Sequence, residues 1–196
     1  MGKRSDQKEK RRSQILETGL DLFIRKGYSA TKISDIAAAA DMSTGLLFHY
    51  FSSKEELYEE LIGLGISGPE NMSAGLSGLA PLAFFERACE FIFSMIRREP
   101  FAAKMFVLMN QAFYSDATPE HIHQIIQRVN YYEKSVPLIQ KGQEEGTIRA
   151  GDPLALSVAY WTAIQGCAQA VALFHMPCPE SDWIIDIIRL TIKSQV

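Results

Sequence analysis

The chain has 196 residues, 47% of them hydrophobic, which is ample for a packed core in one large domain or two small ones. Its formal net charge of −3 does not suggest a nucleic-acid binder overall. The three cysteines, Cys89, Cys167 and Cys178, have no CxxC spacing. That pattern argues against a disulfide framework or a zinc site and favours a reducing, cytoplasmic location.

The charge is uneven along the chain. Residues 1–12 contain six Lys or Arg against two acidic residues, whereas residues 13–196 contain 14 basic and 21 acidic residues. A basic N-terminal arm is suited to phosphate contact, and the alternative is a solvated, frayed terminus. A charged start is also not the pattern expected of a secretory signal.

The first predicted element is an amphipathic helix over about residues 8–26. Ile15, Leu20 and Phe23 form its apolar stripe, and Gly27 is suited to the position just after the helix end. We therefore expect this helix to contribute one face to a core.

Two short helical patterns follow, separated by a tight break at Asp41-Met42. The first, over about residues 33–40, has apolar residues one turn apart. The second, over about residues 44–50, begins after Ser43, a residue type that favours the N-cap position. This layout is that of a helix-turn-helix, whose second helix enters the major groove of DNA.

The rest of the chain predicts longer helices. Ser52-Ser53, with Glu55 and Glu56 three residues on from each Ser, give a capping-box signal for a fourth helix. Residues 63–81 are rich in glycine and contain two prolines, which predicts a break and a domain boundary or hinge. The remaining helices are predicted over about residues 81–98, 100–114, 119–145 with a kink at Pro137, 153–175 and 179–194.

Residues 153–179 contain no Asp, Glu, Lys or Arg, so they need to be distinguished from a membrane span. A spanning helix requires roughly 20 apolar residues. This segment carries Ser157, Thr162, Gln165 and Gln169 and has no basic flank. We therefore interpret it as a buried helix and expect no membrane association.

Four short segments near the N-terminus occur in a specific order and spacing. They are Gly27-Tyr28-Ser29-Ala30-Thr31, Ile33-Ser34-Asp35-Ile36-Ala37, Ser43-Thr44-Gly45-Leu46-Leu47-Phe48-His49-Tyr50-Phe51 and Ser53-Lys54-Glu55-Glu56-Leu57. In a helical chain of this length, this series resembles the TetR family of bacterial transcriptional regulators. The resemblance covers about residues 10–60.

The resemblance implies an all-α fold of about nine helices. A three-helix head with the helix-turn-helix is expected over residues 1–62, and a larger helical body for ligand binding and dimerisation over residues 63–196. The implied function is a homodimeric, ligand-responsive repressor that binds a palindromic double-stranded DNA operator and is released by a small, mainly apolar effector. An activator role stays open. No enzymatic activity, cofactor or metal is expected.

The resemblance and the chemistry of the residues together predict the DNA contacts. Hydroxyls and backbone N–H groups at a helix start favour phosphate or base edges, and a glycine there permits close approach. The predicted DNA-binding residues are Thr31, Lys32, Ser34, Ser43, Thr44, Gly45, Leu46, Phe48, His49, Tyr50 and Lys54. Leu47 and Phe51 are interpreted as core.

Two features depart from the family pattern and limit what the head is expected to read. Lys32 stands where many members have a second Thr, so Thr31 must cap the next helix or the cap is weak. Thr44 stands where a longer side chain is common, and Ser34 is also short. Phosphate contacts are therefore expected to carry much of the affinity.

Aromatic and methionine side chains are abundant in the middle of the chain, and a plain core accounts for most of them. Uncharged polar residues within the same helices are better indicators of a pocket, because they orient a mainly apolar ligand. The predicted ligand-binding residues are Phe91, Met95, Phe106, Met109, Asn110, Phe113, Tyr132, Trp161, Gln165 and Gln169. For Gln165 and Gln169, a dimer interface is the open alternative.

A stripe of small residues in the same uncharged helix permits a close helix contact. With isoleucines of the last helix, it is suited to a four-helix bundle formed by two subunits, the alternative being packing within one subunit. The predicted interface residues are Ala159, Ala163, Gly166, Ala170, Ile184 and Ile188.

Two alternatives to a regulator are a helical enzyme and a helical interaction protein. A helical enzyme is disfavoured because the chain shows no nucleophile–base pair, metal-ligand spacing or phosphate-binding glycine loop. His121 and His123, two residues apart, point to different helix faces and make a poor metal pair. A helical interaction protein with a degenerate head stays open because Ser34 and Thr44 are short.

Overall fold

The computed structural model describes residues 3–127 and 129–190, with side chains from residue 5 onwards. Over this part of the chain the predicted all-α class is confirmed, and the β-structure is limited to one isolated bridge between Ile148 and Arg189. The helices are α1 Lys3–Ala30, α2 Ile33–Ala39, α3 Thr44–Phe48, α4 Lys54–Gly75, α5 Pro81–Arg98, α6 Pro100–Tyr114, α7 Glu120–Gln127, α8 Tyr131–Glu144, α9 Pro153–Phe174 and α10 Ser181–Ile185.

The helices belong to two compact units. The first unit comprises residues 1–67 and 104–128, and the second comprises residues 68–103 and 129–196. The first unit therefore contains α1 to α3 together with the start of α4, most of α6 and α7. The functional boundary expected between residues 62 and 63 stays a prediction.

In the first unit, α1 and α4 approach closely at a glycine. A Cβ atom at Gly19 would lie 2.6 Å from Leu57 Cδ2, so a larger residue there would force the leucine aside. Gly27 has a φ of 79°, which interrupts the helical backbone of α1 where the sequence predicted its end. The core of this part includes Ile15, Leu20, Phe23, Ile36, Ala37, Leu47, Phe51, Leu57 and Leu61.

In the second unit, α8 and α9 pack against each other and against α5. The hydroxyl of Tyr160, which is fully buried, donates to the backbone oxygen of Phe85 at 2.6 Å. The Trp161 indole donates to Ser135 Oγ at 2.9 Å. Buried hydroxyl and indole groups are satisfied in this way, which fixes the rotation of α9 about its axis.

Residues 63–81 do not end the fourth helix where the sequence predicted. Helix α4 continues through Pro69 to Gly75, and the chain turns only around Gly78, whose φ is 87°. A helical glycine costs about 1 kcal/mol relative to alanine. Burial of the apolar face earlier in the same helix offsets that cost, so composition alone overestimated the break.

Two further helix predictions are corrected. The single helix expected over residues 119–145 is two helices, and Asn130 caps the second by accepting from the Glu133 N–H at 3.1 Å. Pro137 lies inside α8. The last helix ends at Ile185, after which Arg149 N–H donates to the Ile188 carbonyl at 2.9 Å. Residues 191–194 of that expected helix lie outside the described residues.

No helix in the described ranges, including the uncharged α9, combines the length and the apolarity that crossing a membrane requires.

Candidate functional site

The second short helix of the motif, α3, begins with a side-chain cap. Ser43 has extended backbone angles, and its Oγ accepts from the Leu46 N–H at 3.2 Å. Asp41, with a φ of 53°, provides the tight turn that separates α2 from α3. The helix-turn-helix predicted from the sequence is therefore present, with the predicted N-cap.

Helix α2 has the weak cap that the sequence allowed. Lys32 occupies the N-cap position and makes no side-chain capping bond. The Lys26 ammonium lies 2.9 Å from Asp35 and, together with the Lys32 backbone, lowers the pKa of that carboxyl below its ordinary value. Asp35 thus partly replaces the missing cap from inside the helix.

The residues predicted to form the core of the motif are buried, and most of those predicted to contact DNA are on its surface. Leu47 and Phe51 are fully buried. Thr44 and Tyr50 are half-buried. The exposed predicted residues are Lys32, Ser34, Ser43, Gly45, Leu46, Phe48 and His49. Phe48 is 48% exposed.

Gly45 leaves the start of α3 open. A Cβ atom there would meet only Ser43 Oγ, at 4.0 Å. The glycine is therefore not required by packing inside the subunit, and what it offers is close access of the backbone to a partner.

Thr31 is placed differently from the prediction that it contacts DNA. Its side chain is 1% exposed, and its hydroxyl donates to the Gly27 carbonyl at 2.7 Å. It therefore closes the end of α1 instead of offering a group to DNA. The sequence could not distinguish these roles, because a threonine between two helices is suited to both.

Lys54 is engaged within the head. Its ammonium donates to the Tyr28 carbonyl at 2.7 Å and lies 4.1 Å from the centre of the Tyr28 ring. Burial lowers the pKa of Lys54. The side chain therefore ties the end of α1 to the start of α4, and its contact with phosphate stays a prediction.

The predicted ligand-binding residues are divided between the two units. Phe106, Met109, Asn110 and Phe113 belong to the first, and Phe91, Met95, Tyr132, Trp161, Gln165 and Gln169 belong to the second. Phe91, Met95 and Phe113 are exposed and the others are half-buried.

Two clefts open in the first unit. One, of about 310 Å³, is lined by Phe23, Gly27, Tyr28, Tyr58, Leu108, Gln111, Tyr114 and Ser115. The other, of about 180 Å³, is lined by Glu59, Ile62, Gly63, Ile66, His121, Ile122 and Ile125. Neither lining includes a predicted ligand-binding residue.

Tyr131 provides a polar group in the second unit that the sequence pattern did not indicate. Its hydroxyl is buried and has no hydrogen-bond partner among the described residues. The ring lies 6.4 Å from that of Trp161, and burial raises the pKa of Tyr131 to about 12. A buried donor without a partner is costly, so it marks a place where a ligand is able to supply one.

The predicted interface residues fall into two groups. Ala159 and Gly166 are exposed, and Ala163 and Ala170 are half-buried, so this stripe retains free surface. Ile184 and Ile188 are 7% and 0% exposed in the single subunit, where α10 packs against α5 and α9. We therefore assign these two isoleucines to the core of the subunit.

A capped helix-turn-helix with an exposed second helix, followed by further helices, is the layout of a helix-turn-helix transcriptional regulator. Residues 15–61 match the family model described as bacterial regulatory proteins, tetR family. The chain is 24% identical over 193 residues to an uncharacterized HTH-type transcriptional regulator, YfiR of Bacillus subtilis, covering 96% of this chain and 93% of that relative. Residues 15–61 belong to the TetR family of bacterial regulatory proteins, and the chain over most of its length is similar to a transcriptional regulator of the helix-turn-helix type.

Two further proteins are similar to this chain, one of them in the sequence of the head and both of them in fold. The HTH-type transcriptional repressor KstR2 of Mycobacterium tuberculosis is 39% identical over 62 residues, which is 32% of this chain and 31% of that relative. The structure of KstR2, which is described as a ketosteroid transcriptional regulator, matches this chain with a TM-score of 0.69. The two are 21% identical, and the match covers 92% of this chain and 96% of KstR2. The structure of AibR with isovaleryl coenzyme A and operator DNA matches with a TM-score of 0.63 at 20% identity, over 90% and 94%.

Proposed function

We propose that this protein is a homodimeric repressor that binds a two-fold symmetric DNA operator through α2 and α3. A small, mainly apolar effector releases it. The observation that carries the proposal is the exposed face of α3. Gly45 and Leu46 of α3 and the C-cap residue His49 are exposed, whereas Leu47 of α3 is buried.

The composition of that face is suited to duplex DNA. The hydroxyl of Ser43 and the N–H groups of the helix start are available to phosphate, and Leu46 offers an apolar surface to a thymine methyl. The side chains that reach base edges are short. We therefore expect a large share of the binding free energy to come from phosphate contacts and to fall as salt rises.

A homodimer is supported by the free surface of α9. Leu154, Val158 and Leu173 are exposed on a helix that carries no charged residue, and Ala159 and Gly166 lie between them. An uncharged apolar face of this length is suited to a second copy of itself. Two heads on one dimer then require half-sites about 34–36 Å apart or a multiple of that.

Footprinting on the DNA upstream of the chain's own coding region tests the DNA-binding proposal. We expect two protected half-sites related by a two-fold axis. Protection of a single asymmetric half-site contradicts the dimeric proposal, and binding of operator and scrambled DNA with equal affinity favours the degenerate-head alternative.

An apolar effector is supported by the half-buried aromatic and amide residues of the second unit and by the unpartnered Tyr131 hydroxyl. KstR2 is described as a ketosteroid regulator, and a ketosteroid is a mainly apolar compound. AibR is bound to isovaleryl coenzyme A, whose acyl group is apolar although the coenzyme A part is charged. We propose that the effector places an apolar group beside Trp161 and an acceptor on Tyr131. Gln165 and Asn110 stay proposed polar contacts.

The effector proposal is tested with steroids, fatty acids and acyl thioesters by thermal shift, then by gel-shift. Tyr131→Phe should reduce the response to an active compound by about tenfold, since a hydrogen bond is worth about 0.5–1.5 kcal/mol. Binding of DNA without effector should not change. Tyr114→Phe, an exposed tyrosine in the other unit, is the matched control. If only highly charged compounds are active, the apolar assignment is wrong.

A further inference from the structure

Within the described residues, a cluster of metal-ligating side chains borders the smaller cleft of the first unit. Glu55 and Glu59, one turn apart on α4, meet His121 of α7, and one ligand atom from each lies within 4.8 Å of the others. All three side chains are exposed. Both helices belong to the first unit at these positions.

The three ligand atoms of the cluster lie close enough together for one ion to be bound by all of them after the side chains rotate. His121 Nε2 lies 3.7 Å from Glu55 Oε1 and in direct contact with Glu59 Oε1. Two ligands bound tetrahedrally at about 2.0–2.2 Å from one zinc ion lie about 3.4 Å apart. Small rotations of three exposed side chains therefore bring the nitrogen and both oxygens around one ion, and solvent fills the fourth position.

The charges of the cluster favour a cation. Two carboxylates at i and i+4 on one helix repel each other. Within the described part of the chain, the ion pairs of Glu55 and Glu59 are both with His121 and include no Lys or Arg. Arg12 pairs with Glu60 and Lys54 bonds to Tyr28, so these two basic residues of the head are engaged elsewhere.

The wall beside the cluster is apolar. The smaller cleft, which Glu59 and His121 border, is lined by Ile62, Ile66 and Ile122 among others. Apolar neighbours exclude water from one side of the ion and strengthen its electrostatic attraction to the carboxylates.

We propose that Glu55, Glu59 and His121 form a binding site for a divalent transition-metal cation of the Zn²⁺ class. One imidazole nitrogen with two carboxylate oxygens suits such a cation better than Mg²⁺ or Ca²⁺, which take oxygen ligands. The bound ion joins the first two turns of α4, which directly follow the helix-turn-helix, to the start of α7. This site is separate from the effector pocket and does not depend on DNA binding.

The test is titration of the full chain with Zn²⁺ against a competing fluorescent zinc indicator. We expect one Zn²⁺ per subunit. Glu59→Gln and His121→Gln should each weaken binding by at least about tenfold, as the loss of one of three protein ligands requires. Mg²⁺ in large excess should not compete.

Matched controls come from the same helix. Glu120→Gln removes a neighbouring carboxylate that bonds to Gln124, and His123→Gln removes a histidine whose Nε2 contacts the Phe113 carbonyl. Neither is part of the cluster, so both should bind Zn²⁺ as the unchanged chain does. Far-ultraviolet circular dichroism checks that every variant is folded.

Two measurements distinguish this site from adventitious binding. The Co²⁺-loaded chain should lack thiolate charge-transfer absorption, and Zn²⁺ should slow amide hydrogen exchange in residues 54–61 and 120–127. The proposal is overturned if Zn²⁺ binding survives in the Glu59→Gln, His121→Gln double variant, if Cys178→Ser removes it, or if Glu120→Gln weakens it equally.

Discussion

Helices α3 and α9 both expose apolar side chains, but the residues around those side chains differ. On α3, Leu46 and Phe48 lie beside Ser43, Thr44 and His49, so the surface mixes apolar and hydrogen-bonding groups. On α9, the exposed face carries leucine, valine, alanine, glycine and the single hydroxyl of Thr162, and no charge. A mixed surface is suited to a polar duplex, whereas an uncharged one is suited to burial against another apolar surface.

The two helices also differ in what holds them. Helix α3 has five residues, too few to be stable alone, and depends on the Ser43 cap and the buried Leu47. Helix α9 has 22 residues and is held through Tyr160, Ile164 and Ala168, which are fully buried. A substitution on the exposed face of either helix should therefore change binding while leaving the fold intact. Substitution of a buried residue should instead lower the free energy of unfolding, without removing a group that contacts the partner.

The largest effect is expected from Gly166→Arg in α9. A Cβ atom at Gly166 meets nothing within 4 Å in the single subunit, so the arginine fits the monomer. In a dimer it would bury a charge in a close helix contact, which is expensive unless the charge is paired. We expect light scattering to show monomer and operator binding to be lost.

Gly75→Arg provides the control for that substitution. Gly75 is also an exposed helical glycine with open space at its Cβ, but it lies in α4. This variant should stay dimeric. A dimeric Gly166→Arg protein that binds operator normally would show that the interface lies elsewhere.

Gly45→Glu in α3 should weaken operator binding by about 100-fold. The added side chain meets open space in the free protein but brings a negative charge against phosphate. Gly45→Ala, which adds only the Cβ, should have a much smaller effect. Gel-shift at fixed salt gives both affinities, and the midpoint of thermal unfolding should be unchanged. A lowered midpoint with the same affinity would contradict the assignment of this face.

Thr31→Val distinguishes the corrected role of Thr31 from the one predicted. It removes a buried hydroxyl that bonds to Gly27 O and should lower the free energy of unfolding by about 1–3 kcal/mol, because that carbonyl loses a partner. Thr31→Ser should retain most of the stability. Urea unfolding measures both. The ranking of operator sequences should stay the same, and a changed ranking would return Thr31 to the DNA contacts.

The smallest effect is expected from the Asp35 carboxyl. The hydrogen bond from Lys26 lowers the pKa of Asp35 below its ordinary value of 3.8. The ionised carboxyl therefore stabilises the folded state above that ordinary value, and this stabilisation is lost as the pH falls through the lowered pKa. Because the group is exposed, the change should be slight. Thermal unfolding from pH 7 to pH 3 should show a shallower loss for Asp35→Asn than for the unchanged chain.

The spacing of residues along the chain was sufficient to predict the cap and the core residues of the helix-turn-helix. Ser43 caps α3, and Leu47 and Phe51 are core, as predicted, because these roles depend on residues within one or two turns. Local spacing also placed the starts of α5 and α9 at prolines, where the missing N–H is not required. The all-helical class followed from the same periodicity.

Only the tertiary structure decided the roles that depend on distant residues. Helix α4 crosses its glycines because its first turns are buried, and Ile188 is used inside its own subunit. Tyr131 is buried without a partner, and His121 meets carboxylates 62 residues away on α4. Sequence periodicity determines which face of a helix is apolar, but the partner of that face is set by elements far along the chain.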